Sequence, residues 1–361
     1  MEINQARGYL YEILISHLLK KNHFLKCEQN NAVNKIYKCG VCSADGEVLG
    51  RGTHHQIDFV GIYEKNIPFI YPIRLLAECK FWTKEGNYKP VDKSFIREYI
   101  GVHKDISENY FSLHMKKFNR FLDVPVIFSA GGFDDEAEKL AWAQGINIVS
   151  HSKLPIMSDL LRYINWTVDI LPEDYLTDKK KFKEVKKFTK DIISGELNKQ
   201  TYPSITEHII DVLSDNEEDI DSFVELLDNV RDSEYKTFLF ATTEYGKLIN
   251  LVSYDRFPDD LFSQAEVQEC GIFFDDSDTN ITDENSRVFF ITLNNDDEDR
   301  RFYFQANEAM LRDDFSRLAL KERISEKEKY FSNLTIMKEI DGLTRLISIK
   351  VNFENIINNV N

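Results

Sequence analysis

No stretch of the sequence approaches the roughly 18 consecutive apolar residues that a membrane-spanning helix requires. Its start lacks the basic segment, apolar run and small-residue cleavage site of a secretory signal. Cysteine is scarce, with five residues (Cys27, Cys39, Cys42, Cys79, Cys270), odd in number and unevenly placed. That usage argues against a disulfide framework and for a reducing, cytoplasmic setting. There is no internal repeat and no low-complexity tract. What is present suits buried cores: 42% hydrophobic residues, with 26 Phe and 16 Tyr. At 361 residues the chain exceeds one typical domain of ~100–200 residues, so two are expected.

The net charge of −16 is a poor match to a phosphate polymer until its distribution is read. Residues 1–165 hold 21 Lys and Arg against 19 Asp and Glu; residues 166–254 hold 11 against 19. Residues 255–299 hold 2 against 14, and residues 300–361 hold 11 against 9. The excess of acid therefore lies beyond residue 165. The first part is compatible with nucleic acid, whereas 255–299 repels it.

Apolar spacing predicts a helix over 4–21, with Leu10, Ile13, Leu14 and Leu18 on one face and Lys20–Lys21 at its end. Asp45–Gly46 suggests a hairpin turn, HQIDFVGIY an alternating strand, and IRLLAECKFW a central strand buried on both faces. A helix over 93–111, a strand at 124–130, a helix at 134–145, a strand at 146–149 and a helix at 156–165 complete an α/β pattern. Residues 171–200 read as a charged helical connector. Residues 201–361 read as an acidic α+β domain with helices over 204–231, short strands from 235, a charged helix near 307–330 and a hairpin at Asp341–Gly342.

One constellation carries chemistry. Strand alternation puts Asp58 on the face of Gln56 and Val60, and puts Glu78 and Lys80 together on another strand. Opposite charges on one face of a buried strand are costly unless paired or metal-bound. If the strands are neighbours, Asp58 and Glu78 can hold Mg²⁺ through carboxylate oxygens. Lys80 beside them can orient a water or stabilise charge developing on a phosphate. Gly50, Gly52 and Gly61 bracket the Asp58 strand and allow tight turns or close approach of a ligand. Glu12 interrupts an apolar helix, with Gly8 and Ser16 one turn away leaving room for its carboxylate. The competing reading is a solvated Glu-x-Lys face and a surface glutamate.

Glu12, GRGTHHQID (50–58), ECK (78–80) and SAGGFDDEAEKLAWAQGINIV (129–149) resemble the PD-(D/E)xK restriction-endonuclease superfamily, close to its Mrr-like branch. The resemblance covers about residues 4–165. It implies a restriction-endonuclease-like α/β core, a mixed sheet flanked by helices. It also implies Mg²⁺-dependent DNA cleavage, with Mn²⁺ as a substitute, in restriction or related antiviral defence. By motif position Glu12 matches the first-helix acid, Asp58 the metal aspartate, and Glu78 and Lys80 the Glu-x-Lys pair. Gln56 becomes a contact to substrate or to the metal's surroundings.

Cys39 and Cys42 have the spacing of half a structural zinc site, which Cys27, His54 or His55 could complete; two reduced cysteines at a hairpin is the preferred alternative. His54 and His55 also suit phosphate contact. Lys84, Lys89, Lys93, Arg97 and Lys104 alternate with Trp82, Tyr88, Phe95 and Tyr99, either to meet phosphates and bases or as a solvated helix over an aromatic core. The lysines of 179–190 are a denser basic run, read as solvated helix or as further phosphate contacts. The Asp-rich loops 275–285 and 294–299 lack EF-hand spacing. The leading expectation is a DNA endonuclease acting on duplex as a homodimer or larger assembly, with an acidic C-terminal domain for control, specificity or docking of a basic partner. An RNA-directed nuclease and a silent scaffold are the alternatives; the intact Glu12, Asp58, Glu78 and Lys80 favour an active site.

Overall fold

The computed structural model describes residues 3–232, except 45, 65–69, 85–86, 110–119, 152–154, 197–200 and 214–216. Beyond them it describes the strands between residues 237 and 351. The charged helix expected near 307–330, the Asp-rich loops and the turn residues Asp45, Asp341 and Gly342 lie outside the described residues. The chain divides into two compact units, one of residues 1–148 and 159–234, the other of 149–158 and 235–361.

The first unit opens with α1 (Ile3–Lys21) and β1 (Phe24–Lys26), then α2 (Ala32–Tyr37) and a ribbon of β2 (Glu47–Leu49) and β3 (His54–Gln56). The strands β4 (Phe59–Tyr63) and β5 (Ile73–Lys80) follow, then a short pair, β6 (Thr83–Lys84) and β7 (Asn87–Tyr88). Next come α3 (Lys93–Ser107), β8 (Leu122–Ser129), α4 (Asp135–Ala143), β9 (Asn147–Ser150) and α5 (Pro155–Ile170). The helices α6 (Glu173–Thr177), α7 (Lys179–Ile193), α8 (Pro203–Leu213) and α9 (Glu217–Asp232) close the unit. The segment expected as a connector is thus folded into it, with α7 packed on α1.

The central sheet has five strands in the order β1-β4-β5-β8-β9 and is mixed: β4 runs antiparallel to β1 and β5, and β5 parallel to β8. Helices flank it. As expected for a central strand, β5 is buried from Arg74 to Cys79. Across β5 and β8, Arg74 faces Asp123 and makes a bidentate pair at 2.6 and 2.9 Å, while its third nitrogen donates to the Cys39 carbonyl. Both side chains are nearly fully buried. Helix α1 is apolar over most of its circumference, burying Leu10, Tyr11, Ile13, Leu14, Ile15, Leu18 and Leu19, because it lies between the sheet and α7. Asp92, Asp134 and Asp178 cap α3, α4 and α7 by accepting first-turn N–H groups.

HQIDFVGIY is not one alternating strand. The chain leaves the β2–β3 ribbon after Gln56 and enters the central sheet at Phe59, and all five β4 residues are buried. Nor are all the cysteines reduced, because Cys27 and Cys39 are joined in a disulfide while Cys42 and Cys79 are free.

The second unit has a seven-stranded sheet in the order β10-β11-β14-β13-β12-β16-β15. Its strands are β10 (Thr237–Thr242), β11 (Leu248–Ser253), β12 (Val267–Phe274), β13 (Val288–Leu293), β14 (Phe302–Gln305), β15 (Leu334–Ile340) and β16 (Leu343–Val351). Strands β15 and β16 pair antiparallel across 341–342, as expected of a hairpin there. No described helix is long and apolar enough to cross a membrane.

Candidate active site

The antiparallel register of β4 and β5 pairs Phe59 with Ala77, so one step further along the ladder Asp58 stands across from Glu78. Asp58 occupies the bend between ribbon and sheet, and its Oδ2 accepts the backbone N–H of Cys79 at 2.8 Å. Glu78 and Lys80, two residues apart, share a face of β5. The Lys80 ammonium lies 2.7 Å from Glu78 Oε2 and 3.7 Å from Asp58 Oδ2, and 4.6 Å from the centre of the Phe95 ring. Three of the side chains singled out from sequence therefore meet at the end of the central strand.

Glu12 approaches from α1. Its carboxyl is mostly buried and is pushed up to about 8, first by loss of solvent and then by the Asp58 charge. Lys26, Lys186 and Lys80 oppose that shift without cancelling it. Gly8 has open space where a Cβ would stand, and Ser16 lines the same cleft as Glu12. Burial and the Asp58 charge raise Glu78 to about 7 despite its hydrogen bond from Lys80. Burial alone would lower the Lys80 ammonium; Glu78 and Asp58 hold it above its ordinary range. The centre is short of positive charge: three carboxyls share one buried ammonium, and burial with the Asp58 charge pushes both Glu12 and Glu78 toward their protonated forms. An all-oxygen donor set of this kind suits a hard cation such as Mg²⁺. Among the described residues no group of three or more His, Cys, Asp or Glu is already arranged to hold a metal, and the Lys80 ammonium bridges Asp58 and Glu78.

Other candidates fall elsewhere. Gln56 is exposed in the ribbon, paired with Glu47 in a sheet separate from that of Glu78. His55 is tied to Asp105 of α3 at 2.8 Å, and the same carboxylate accepts the N–H groups of Gly52 and Thr53. A Cβ on Gly50 would stand 2.1 Å from that carboxylate, so Gly50 serves this internal close approach. His54 is exposed. Tyr99 is fully buried with its hydroxyl donating to the Leu76 carbonyl, and Phe95 packs on Trp82 and Tyr99. Lys93 is ion-paired with Glu136 of α4. Phe95 and Tyr99 belong to the core side of α3, and Trp82 packs on Phe95 from outside the helix. Sequence reading missed Asp105 and Asp123, which lie on elements far from their partners and carry no local pattern.

No protein-family model and no curated protein matches the chain. Among solved structures, a protein of unknown function designated AF1548 is similar at 17% identity and a TM-score of 0.33, over 56% of this chain and 97% of that one. That likeness bears on neither the fold nor the activity.

Proposed function

We propose that the first unit is a Mg²⁺-dependent endonuclease that hydrolyses DNA phosphodiester bonds, in restriction or antiviral defence, with Mn²⁺ able to replace Mg²⁺. The observation that carries this reading is the meeting of Asp58, Glu78 and Lys80 at the end of β5, with too little positive charge for its carboxyls. Asp58 and Glu78 would hold the cation, with Glu12 on the α1 side. When bound, Mg²⁺ supplies a positive charge that polarises a phosphoryl oxygen and favours hydroxide over water. The protein's own groups do the rest. The Cys79 N–H fixes the Asp58 carboxylate, Glu78 holds the Lys80 ammonium, and the Phe95 ring limits where that ammonium can go. An ammonium so placed can orient the attacking water and stabilise charge developing on the phosphate. Cutting both strands of a duplex together calls for two such centres, which favours a homodimer or larger assembly. The acidic second unit is suited to control or to docking a basic partner rather than to DNA.

Plasmid, linear duplex, single-stranded DNA and RNA, each with Mg²⁺, Mn²⁺ or EDTA, test the reading. Metal-dependent cutting of DNA supports it. Preference for RNA would replace the substrate, and no cutting under any condition would count against an active enzyme.

A further inference from the structure

Helix α7 carries seven lysines between residues 179 and 190. Its inner face buries Phe182, Val185, Phe188, Thr189, Ile192 and Ile193. Lys180, Lys183, Lys187 and Lys190 recur at intervals of three and four residues, are exposed, and form no ion pair with any described acid. With Lys186 they line one wall of a cleft of about 930 Å³. Glu12, Ser16 and Lys20 of α1 and Lys26 of β1 line it too, as does Ser204 in the first turn of α8. Seven lysines border this cleft against three glutamates, Glu12, Glu28 and Glu184.

Helix stability does not account for the pattern. Lys183 with Lys187, and Lys186 with Lys190, are like charges one turn apart and repel. Lys180 sits in the first turn, the end of a helix that disfavours cations. The side chains are also partly held in place: Lys186 lies 4.8 Å from the Tyr9 ring centre and Lys187 5.6 Å from that of Tyr202. Glu12 joins cleft and site, since it lines the cleft with Lys26 and Lys186 while its carboxyl also feels the Asp58 and Lys80 charges.

We infer that this cleft is the track for one phosphate backbone of the nucleic acid, leading away from the proposed cleavage site on the Glu12 side; the inference rests on the nuclease reading. From Lys180 to Lys190 the helix rises about 15 Å. That length is enough for the lysine row to meet more than one successive phosphate of a single strand.

The test measures binding of a fluorescein-labelled duplex to the full chain in EDTA, from 50 to 200 mM KCl. Variants are K183Q/K187Q/K190Q, a control K35Q/K139Q/K179Q outside the cleft, and K80A, with thermal melting as a check on folding. The cleft variant is expected to bind at least ~10-fold more weakly and to lose about 2–3 from the slope of log affinity against log salt, at ~0.9 per lost contact. The control is expected to change less than about twofold, by the same relation. Equal weakening in the control, an unchanged slope, or no duplex binding by the wild type would overturn the track. Parallel cleavage assays with Mg²⁺ separate the two ideas. Cleft-dependent binding without cutting sinks the nuclease reading and supports the track, whereas cutting with cleft-independent binding sinks the track alone.

Discussion

Asp58 accepts its 2.8 Å hydrogen bond from the backbone of Cys79, the residue between Glu78 and Lys80. The aspartate is therefore fixed to the strand that carries the other two groups, and the bend before β4 cannot move without breaking that bond. That backbone bond and the Lys80 contacts to Glu78 and Asp58 together define the geometry of the site.

Crowded carboxyls predict a pH dependence of stability. Glu12 and Glu78 titrate near 8 and 7 in the fold, above their ordinary value of 4.5. Between pH 4.5 and 8 the folded state then holds more protons than the unfolded one, so stability falls as pH rises through that window. Melting curves from pH 5 to pH 8 are expected to show this fall in metal-free buffer. Glu12→Gln is expected to flatten it and to stabilise the protein at pH 8 by an amount on the order of 2–4 kcal/mol, since each tenfold change in proton affinity is worth ~1.4 kcal/mol. Unchanged curves would mean that Glu12 is solvated.

Cation binding is expected to reverse the same effect. Mg²⁺ or Ca²⁺ added at pH 8 should raise the melting temperature and release protons, measurable by calorimetry in buffers of different ionisation enthalpy. At 100 times the dissociation constant the gain is about 2.7 kcal/mol. It should shrink at pH 6, where Glu12 and Glu78 hold their protons, and disappear in Asp58→Asn. An equal gain in that variant would place the ion elsewhere.

The buried Arg74–Asp123 pair gives a prediction independent of chemistry. Asp123→Ala strands a buried guanidinium and is expected to cost about 3–5 kcal/mol in chemical denaturation. Asp105→Ala frees His55 and the Gly52 and Thr53 N–H groups on a more exposed loop, and is expected to cost about 1–2 kcal/mol. A larger loss for Asp105 than for Asp123 would contradict this ranking.

Much of the first unit was legible because its signals are local. Apolar spacing marked α1, Asp134 and Gly145 bounded the α4 region, and the apolar surroundings of Glu78 and Lys80 marked a central strand. Alternation failed at Ile57–Asp58, because a strand that changes sheets keeps its residue pattern while losing its ladder. The Cys27–Cys39 disulfide was missed because composition reports compartments, not distances. Asp105, Asp123 and the packing of α7 on α1 depend on contacts across many residues, which no spacing encodes.

The most direct test of the site is single-turnover plasmid cleavage in Mg²⁺ by wild type and by Lys80→Ala, with melting curves matched to exclude unfolding. The expected result is cutting by the wild type and a loss on the order of 10²–10³-fold in the variant, the scale of removing one group that stabilises transition-state charge. Equal rates in the two proteins would contradict the role assigned to Lys80 and, with it, the proposed site.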